Sequence, residues 1–274
     1  MTQRVSRFHV LAWPLIAAAP LAAASTLAQA SPTKTAAPAC ERSSFHVILD
    51  VGHTAEDPGA ISVRSRTEYD FNLDLARQIE RALHASGFAK TALQVTSGPA
   101  LPALIKRVAV ANASKADLLI SIHHDSVPHW LLQHMDEEGG PRRFSDRFRG
   151  HSLFVSYENA ARSASLQFAR LLGEKLKGQG LHFARHYTER IMGPRRRELV
   201  DKEAGVYRFD KLYVLRASRM PAVLFEAGLI INPVEELELV GEERQVRIAT
   251  AMTQAVEDFC RQQTPPTASA RARR

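Results

Sequence analysis

The sequence is poor in cysteine. Its 274 residues carry two, too few for a disulfide framework to stand in for a hydrophobic core. No collagen-like, heptad or solenoid repeat runs along it, which excludes fibrous and repeat architectures. It contains no HExxH, the compact helical zinc motif. Beyond residue 30 no apolar run approaches the roughly 20 residues that a membrane-spanning helix needs. Excess charge is also scarce: 36 Lys+Arg against 29 Asp+Glu give +7, and without Arg4 and Arg7 the balance is 34 to 29. So diffuse a surplus falls short of the basic footprint of a nucleic-acid-binding surface, and a nucleic-acid partner is not expected. What is present, 45% hydrophobic and 24% charged residues, describes a globular chain long enough to bury one large core.

The first thirty residues have the anatomy of a secretory leader. Arg4 and Arg7 stand without any acid, an apolar stretch runs from Val10 to about Leu27, and small residues close it at Ala28-Gln29-Ala30. Pro14 and Pro20 interrupt that stretch, which argues for cleavage after Ala30 over a permanent anchor. The expected division is a signal peptide over 1–30, a Pro/Ala/Thr/Ser linker over 31–39, a domain over 40–263 and a disordered basic tail over 264–274. The protein is then secreted across the inner membrane, to the periplasm or beyond, and keeps no membrane span after cleavage. Cys40 and Cys260 sit at the two ends of the domain. They could close a disulfide in an oxidising compartment or remain two thiols, since sequence fixes no distance between them.

Within the domain, short apolar runs alternate with segments of helical periodicity. Residues 45–49, 93–96, 117–122, 153–156, 212–215 and 222–225 read as strands. Residues 68–85, 101–113, 161–177 and 242–259 read as helices. This order predicts a single α/β domain, with a central, mostly parallel (mixed) sheet flanked by helices on both faces. In such sheets ligands bind beyond the carboxyl ends of the strands, where Asp50, His53, His123 and Glu226 fall.

Two imidazoles and a carboxylate from separate elements satisfy three positions of a tetrahedral Zn²⁺ and leave the fourth open. His53 and His123 are the candidate imidazoles, and Glu68, at the start of the first expected helix, is the candidate carboxylate. Glu226 is the acid that follows the run Ala222-Val223-Leu224-Phe225, and is the candidate general base. Spacing alone leaves alternatives open. Eleven histidines are available, either histidine could be an ordinary surface or core residue, and Asp50, Glu56 and Asp57 could be turn residues around Gly52 and Pro58-Gly59.

The segment Leu49-Asp50-Val51-Gly52-His53-Thr54, continuing through Pro58-Gly59-Ala60 to Glu68-Tyr69-Asp70-Phe71-Asn72, resembles the opening motif of zinc-dependent N-acetylmuramoyl-L-alanine amidases of the AmiA/AmiB/AmiC type. Two later segments match the same family in order: Ala116 through His123, and Pro221 through Gly228 followed by Asn232-Pro233. The resemblance implies one zinc per domain held by His53, Glu68 and His123, with Glu226 as catalytic acid/base. It implies a peptidoglycan substrate, cut between N-acetylmuramic acid and the L-alanine of the stem peptide by zinc-activated water. A protein activator is a possible partner. Val51, Thr54-Ala55 and His124 depart from the family pattern without removing a ligand, and His124 stands as an alternative ligand to His123. A zinc peptidase acting within the stem peptide and a catalytically silent wall-binding domain are the rival readings.

The connection from Val127 to Gly150 is long for its place between two strands. Residues 129–135 are expected to pack as a short helix. In some relatives an inserted helix blocks the metal, which makes this segment a candidate movable cover with Glu137 or Glu138 as blocking ligand. A static, solvated loop is the alternative.

Overall fold

The computed structural model describes residues 40–137 and 140–263; the expected leader, linker and tail lie outside them. Strand β1 (Val47–Val51) is buried along its whole length, as an apolar run without polar alternation requires. Helix α1 (Glu68–Ala85) follows. Thr67 caps it by accepting from the Asp70 amide, and Glu68 and Asp70 occupy its first turn, where the helix dipole favours acids. Then come β2 (Ala92–Gln94), α2 (Ala100–Ser114) and β3 (Leu118–Asp125). A 3-10 turn, His129–Leu131, leads into the hairpin of β4 (Gln133–Glu137) and β5 (Gly140–Phe144). Next are β6 (Ser152–Val155) and α3 (Arg162–Gly178), then two 3-10 turns, His186–Thr188 and Arg190–Arg195. β7 (Glu198–Asp201), β8 (Val206–Arg208), α4 (Tyr213–Arg216), β9 (Ala222–Leu229), α5 (Pro233–Val240) and α6 (Glu242–Gln263) complete the order.

The main sheet has seven strands in the order β2-β1-β3-β9-β6-β8-β7. The β2-β1-β3-β9 half is parallel, β6 runs antiparallel to β9, β8 is parallel to β6, and β7 is antiparallel to β8. Successive side chains of a strand face opposite sides, and the two faces build two cores. Val47, Leu49, Val51, Ile122 and Phe225 pack with Phe71 and Leu75 of α1, Leu172 of α3 and Met252 of α6. Ile48, Leu119 and Leu224 pack with Val108 of α2 and Leu215 of α4. The expected mixed α/β sheet with helices on both faces is therefore the observed fold.

Three local expectations change. Residues 212–215 are not a strand: Val214 and Leu215 are buried in the single turn of α4, and a short apolar run does not distinguish strand from buried helix by periodicity. Residues 129–135 are not one helix either. Seven residues hold a helix poorly on their own, and pairing of Gln133 with Phe144 and of His134 with Arg143 satisfies this backbone as a hairpin instead. Finally, β3 and β9 run past 122 and 225, so His123 and Glu226 lie inside strands. Cys40 and Cys260 are joined in a disulfide, with Cα atoms 5.3 Å apart, which fixes residue 40 against α6.

Candidate metal centre

The three expected ligands meet at the carboxyl ends of β1 and β3. His53 leaves β1 through a turn in which its own φ is 67°, a left-handed conformation that is uncommon for a residue with a Cβ. Its main chain is held from two sides. The Gly52 amide donates to the Ile122 carbonyl at 3.0 Å, and Arg107 of α2 donates to the carbonyls of Val51 (2.7 Å) and His53 (3.2 Å). Arg107 is buried against Asp50, Nε to Oδ1 at 3.1 Å, and Ser121 donates to the other Asp50 oxygen at 2.7 Å. Asp50 is thus a brace beneath the turn. Glu56 and Asp57 are turn residues: Glu56 accepts from the Gly98 amide, and the Asp57 amide donates to Thr54 Oγ1.

Glu68 is fixed reciprocally. Its amide donates to the Ala60 carbonyl at 2.8 Å, while the Ala60 amide donates to Glu68 Oε2 at 3.0 Å. The other oxygen, Oε1, faces both imidazoles, His123 Nδ1 at 2.9 Å and His53 Nε2 at 3.1 Å. All three candidate ligand atoms lie within 4.8 Å of one another. Two glycines make this approach possible. A Cβ on Gly52 would stand 2.4 Å from the His123 ring, and one on Gly59 (φ +77°) would stand 2.5 Å from Glu68 Oε2 and 2.7 Å from the His53 ring. The cradle is shaped around side chains that converge on a single point.

Electrostatics agree with a cation at that point. Burial alone would raise the Glu68 carboxyl, but hydrogen bonds from His123 and His53 overcome it and hold the group well below the usual carboxylate range. For His53 burial favours the neutral ring, yet the hydrogen bond to Glu68 raises its proton affinity above the ordinary value. Two imidazoles and one carboxylate at this spacing suit a borderline-soft divalent ion that takes nitrogen and oxygen together, zinc foremost.

His124 takes no part. It lies on the opposite face of β3, buried, with Nδ1 donating to Asn72 Oδ1 at 2.8 Å and burial lowering its pKa to about 3. The alternation of the strand thus puts His123 in the cluster and His124 on the other face.

Glu226 stands beside His123. The two residues are register partners in the parallel pair β3/β9, so their side chains project from the same face. Glu226 Oε2 is buried with no hydrogen-bond partner. Burial, then the charges of Asp125 and Glu68, push this carboxyl well above its ordinary value, and Arg195 opposes them. Asp125 is buried and accepts from Tyr187 Oη at 2.8 Å and from Arg195 Nη2 at 3.2 Å. Arg107, Asp125, Tyr187 and Arg195 were not among the expected site residues. Asp125 carried a signal, two positions beyond His123 on the same strand face, whereas Arg195 sits in a run of arginines that nothing in the sequence singles out. Of the two proposed blocking acids, Glu137 closes β4 and Glu138 lies outside the described residues.

The sequence profile of N-acetylmuramoyl-L-alanine amidases matches residues 47–258. The chain belongs to that family. It is 26% identical over 239 residues to the N-acetylmuramoyl-L-alanine amidase AmiC of Escherichia coli, a match that covers 78% of this chain and 50% of AmiC. The amidase chain therefore spans half the length of that relative. In fold it is similar to the amidase Ami1 of Mycobacterium smegmatis, with a TM-score of 0.62, 23% identity, and coverage of 81% of this chain and 99% of Ami1. It is also similar to the CwlD amidase of Clostridioides difficile, solved in complex with the GerS lipoprotein, with a TM-score of 0.57, 20% identity and coverage of 78% and 98%.

Proposed function

We propose that this amidase is a secreted, zinc-dependent cell-wall hydrolase that cuts the amide bond between N-acetylmuramic acid and the L-alanine of the stem peptide. The observation that carries the reading is the convergence of His53 Nε2 and His123 Nδ1 on one oxygen of Glu68, in a chain of the amidase family. His53, Glu68 and His123 would hold the ion. When bound, zinc supplies a Lewis acid that polarises a carbonyl and makes water acidic enough to attack near neutral pH.

The remaining chemistry falls to Glu226. It takes a proton from the attacking water as the new C–O bond forms at the lactyl carbonyl. It then delivers that proton to the amide nitrogen as the C–N bond breaks and L-alanine leaves as an amine. A buried carboxyl with raised proton affinity suits a group that must hold the proton between the two events. Asp125, Tyr187 and Arg195 brace the floor beside it.

Other features support the cellular setting. The leader-like residues 1–30 and the Cys40–Cys260 bridge fit an oxidising compartment, periplasmic or extracellular. No helix among the described residues is long and apolar enough to cross a membrane. The lipoprotein partner of CwlD supports a protein activator for this chain as well.

The test is mass spectrometry of purified peptidoglycan after digestion with the zinc-loaded protein. Free stem peptides with an intact L-alanine amino terminus, and uncut glycan strands, are the expected products. Cleaved cross-links with the muramoyl bond intact would instead identify a peptidase.

A further inference from the structure

Beyond the end of β3, two short segments form a wall, joined by a hydrogen bond from Trp130 to Ile191: the turn His129–Leu131 and the turn Arg190–Arg195. Trp130 and Ile191 on this wall are 53% and 39% exposed. Trp130 is the one aromatic among the exposed large apolar side chains of the described residues. A tryptophan pairs a large apolar face with a polar N–H, the combination that is enriched at recognition surfaces.

The indole is not loose. Its Nε1–H donates to the Ile191 carbonyl at 3.1 Å. The His129 ring meets it edge-on, with centroids 5.1 Å apart and planes at 83°. Gly193 leaves its flank uncrowded, since even an added Cβ would come no nearer than 3.6 Å to Trp130 Cζ2. The wall is also tied to the chemistry. β3 carries His123 and Asp125 and runs on to Trp130 five residues later, while the turn beneath the indole ends at Arg195, whose guanidinium binds Asp125. The wall is thus joined through Asp125 to the strand that bears His123, and the charges of Asp125 and Arg195 act on Glu226.

We infer that Trp130 is the stacking platform of a saccharide subsite, which seats a pyranose ring of the glycan strand while the muramoyl amide lies at Glu226. The inference rests on the amidase reading. A pyranose has one face of C–H groups that packs on an indole and an equator of hydroxyl and acetamido groups that stays wet. The stem peptide, rich in polar and charged groups, matches the neighbouring arginines better than the ring. A docked protein needs a wider apolar field, and Trp130 with Ile191 offers two side chains set among Arg190, Arg195 and Arg196.

The experiment uses the fact that the chain has two tryptophans, Trp13 and Trp130. In a Trp13→Phe chain, indole fluorescence reports on Trp130 alone. Titration with peptide-free glycan strands should give a saturable emission change, and the same change should persist after Glu226→Gln, when turnover is lost. Trp130→Ala should raise KM for wall glycan about tenfold, equal to about 1.4 kcal/mol, with kcat within about twofold, and Trp130→Phe should restore most of the affinity. A saturable change with free stem peptide but none with glycan would overturn the inference, as would unchanged KM in Trp130→Ala. Loss of activation by a wall-associated protein, with glycan binding intact, would overturn it in favour of a docking face. A glycan-dependent change in a protein that does not release L-alanine-terminated peptides would leave the platform standing and remove the amidase reading.

Discussion

The candidate metal cluster and the Trp130 wall are built differently. On the ligand side, His53, Glu68 and His123 are held by main-chain hydrogen bonds, a buried arginine and two glycines that a single methyl group would disrupt. The wall is made of short 3-10 turns, one of them bearing Arg190 and Arg195, tied by side-chain hydrogen bonds and open to solvent around Trp130. An ion of fixed radius tolerates no slack in its ligands. A polymer passing over a surface needs breadth and adaptable contacts instead, and the second wall supplies them.

The largest effect should come from breaking the ligand side. His123→Ala is expected to lose bound zinc and with it all measurable wall hydrolysis, whereas His124→Ala keeps its zinc, because that ring faces Asn72. Metal analysis of the two purified variants checks this, and zinc lost from His124→Ala alone would reverse the ligand assignment. Next in size is the acid beside His123. Glu226→Gln should retain zinc and lose about 10²–10⁴-fold in turnover, the usual contribution of a general acid/base. A near-native rate would remove Glu226 from the chemistry, and lost metal would make it a ligand.

The smallest effect belongs to the open wall. Arg195→Ala leaves buried Asp125 with Tyr187 as its remaining close side-chain donor. The expected cost is about 1–3 kcal/mol of stability, read as a lower urea midpoint with zinc content unchanged. An unshifted midpoint would show that solvent replaces the guanidinium freely.

The ligand side was also the legible one. Each proposed ligand lies next to the element that delivers it: His53 two residues past β1, Glu68 at the start of α1, His123 within β3. Local chemistry announces those positions through Gly52, the Thr67 cap and the apolar run before His123. The arginines that brace the site were not legible, because their logic is long-range. Arg195 matters through Asp125, 70 residues away, and Arg107 matters through Asp50 and the His53 carbonyl, more than 50 residues away. Neither arginine differs in its neighbourhood from the many solvated ones. The hairpin β4–β5 and the turn α4 were misread for the same reason: partners elsewhere decided what short apolar runs left ambiguous.

The Cys40–Cys260 bridge spans 220 residues of sequence, and so converts nearly the entire described chain into a covalent ring. A protease that cuts a ring once opens it without dividing it. Nicking the exposed connections between β3 and β6, or between α3 and β7, would leave both pieces joined, with the metal ligands and Glu226 still in one molecule. Fragments would part only after reduction. Wherever proteases are met, a closed circuit makes a single cut survivable where an open chain could lose a segment.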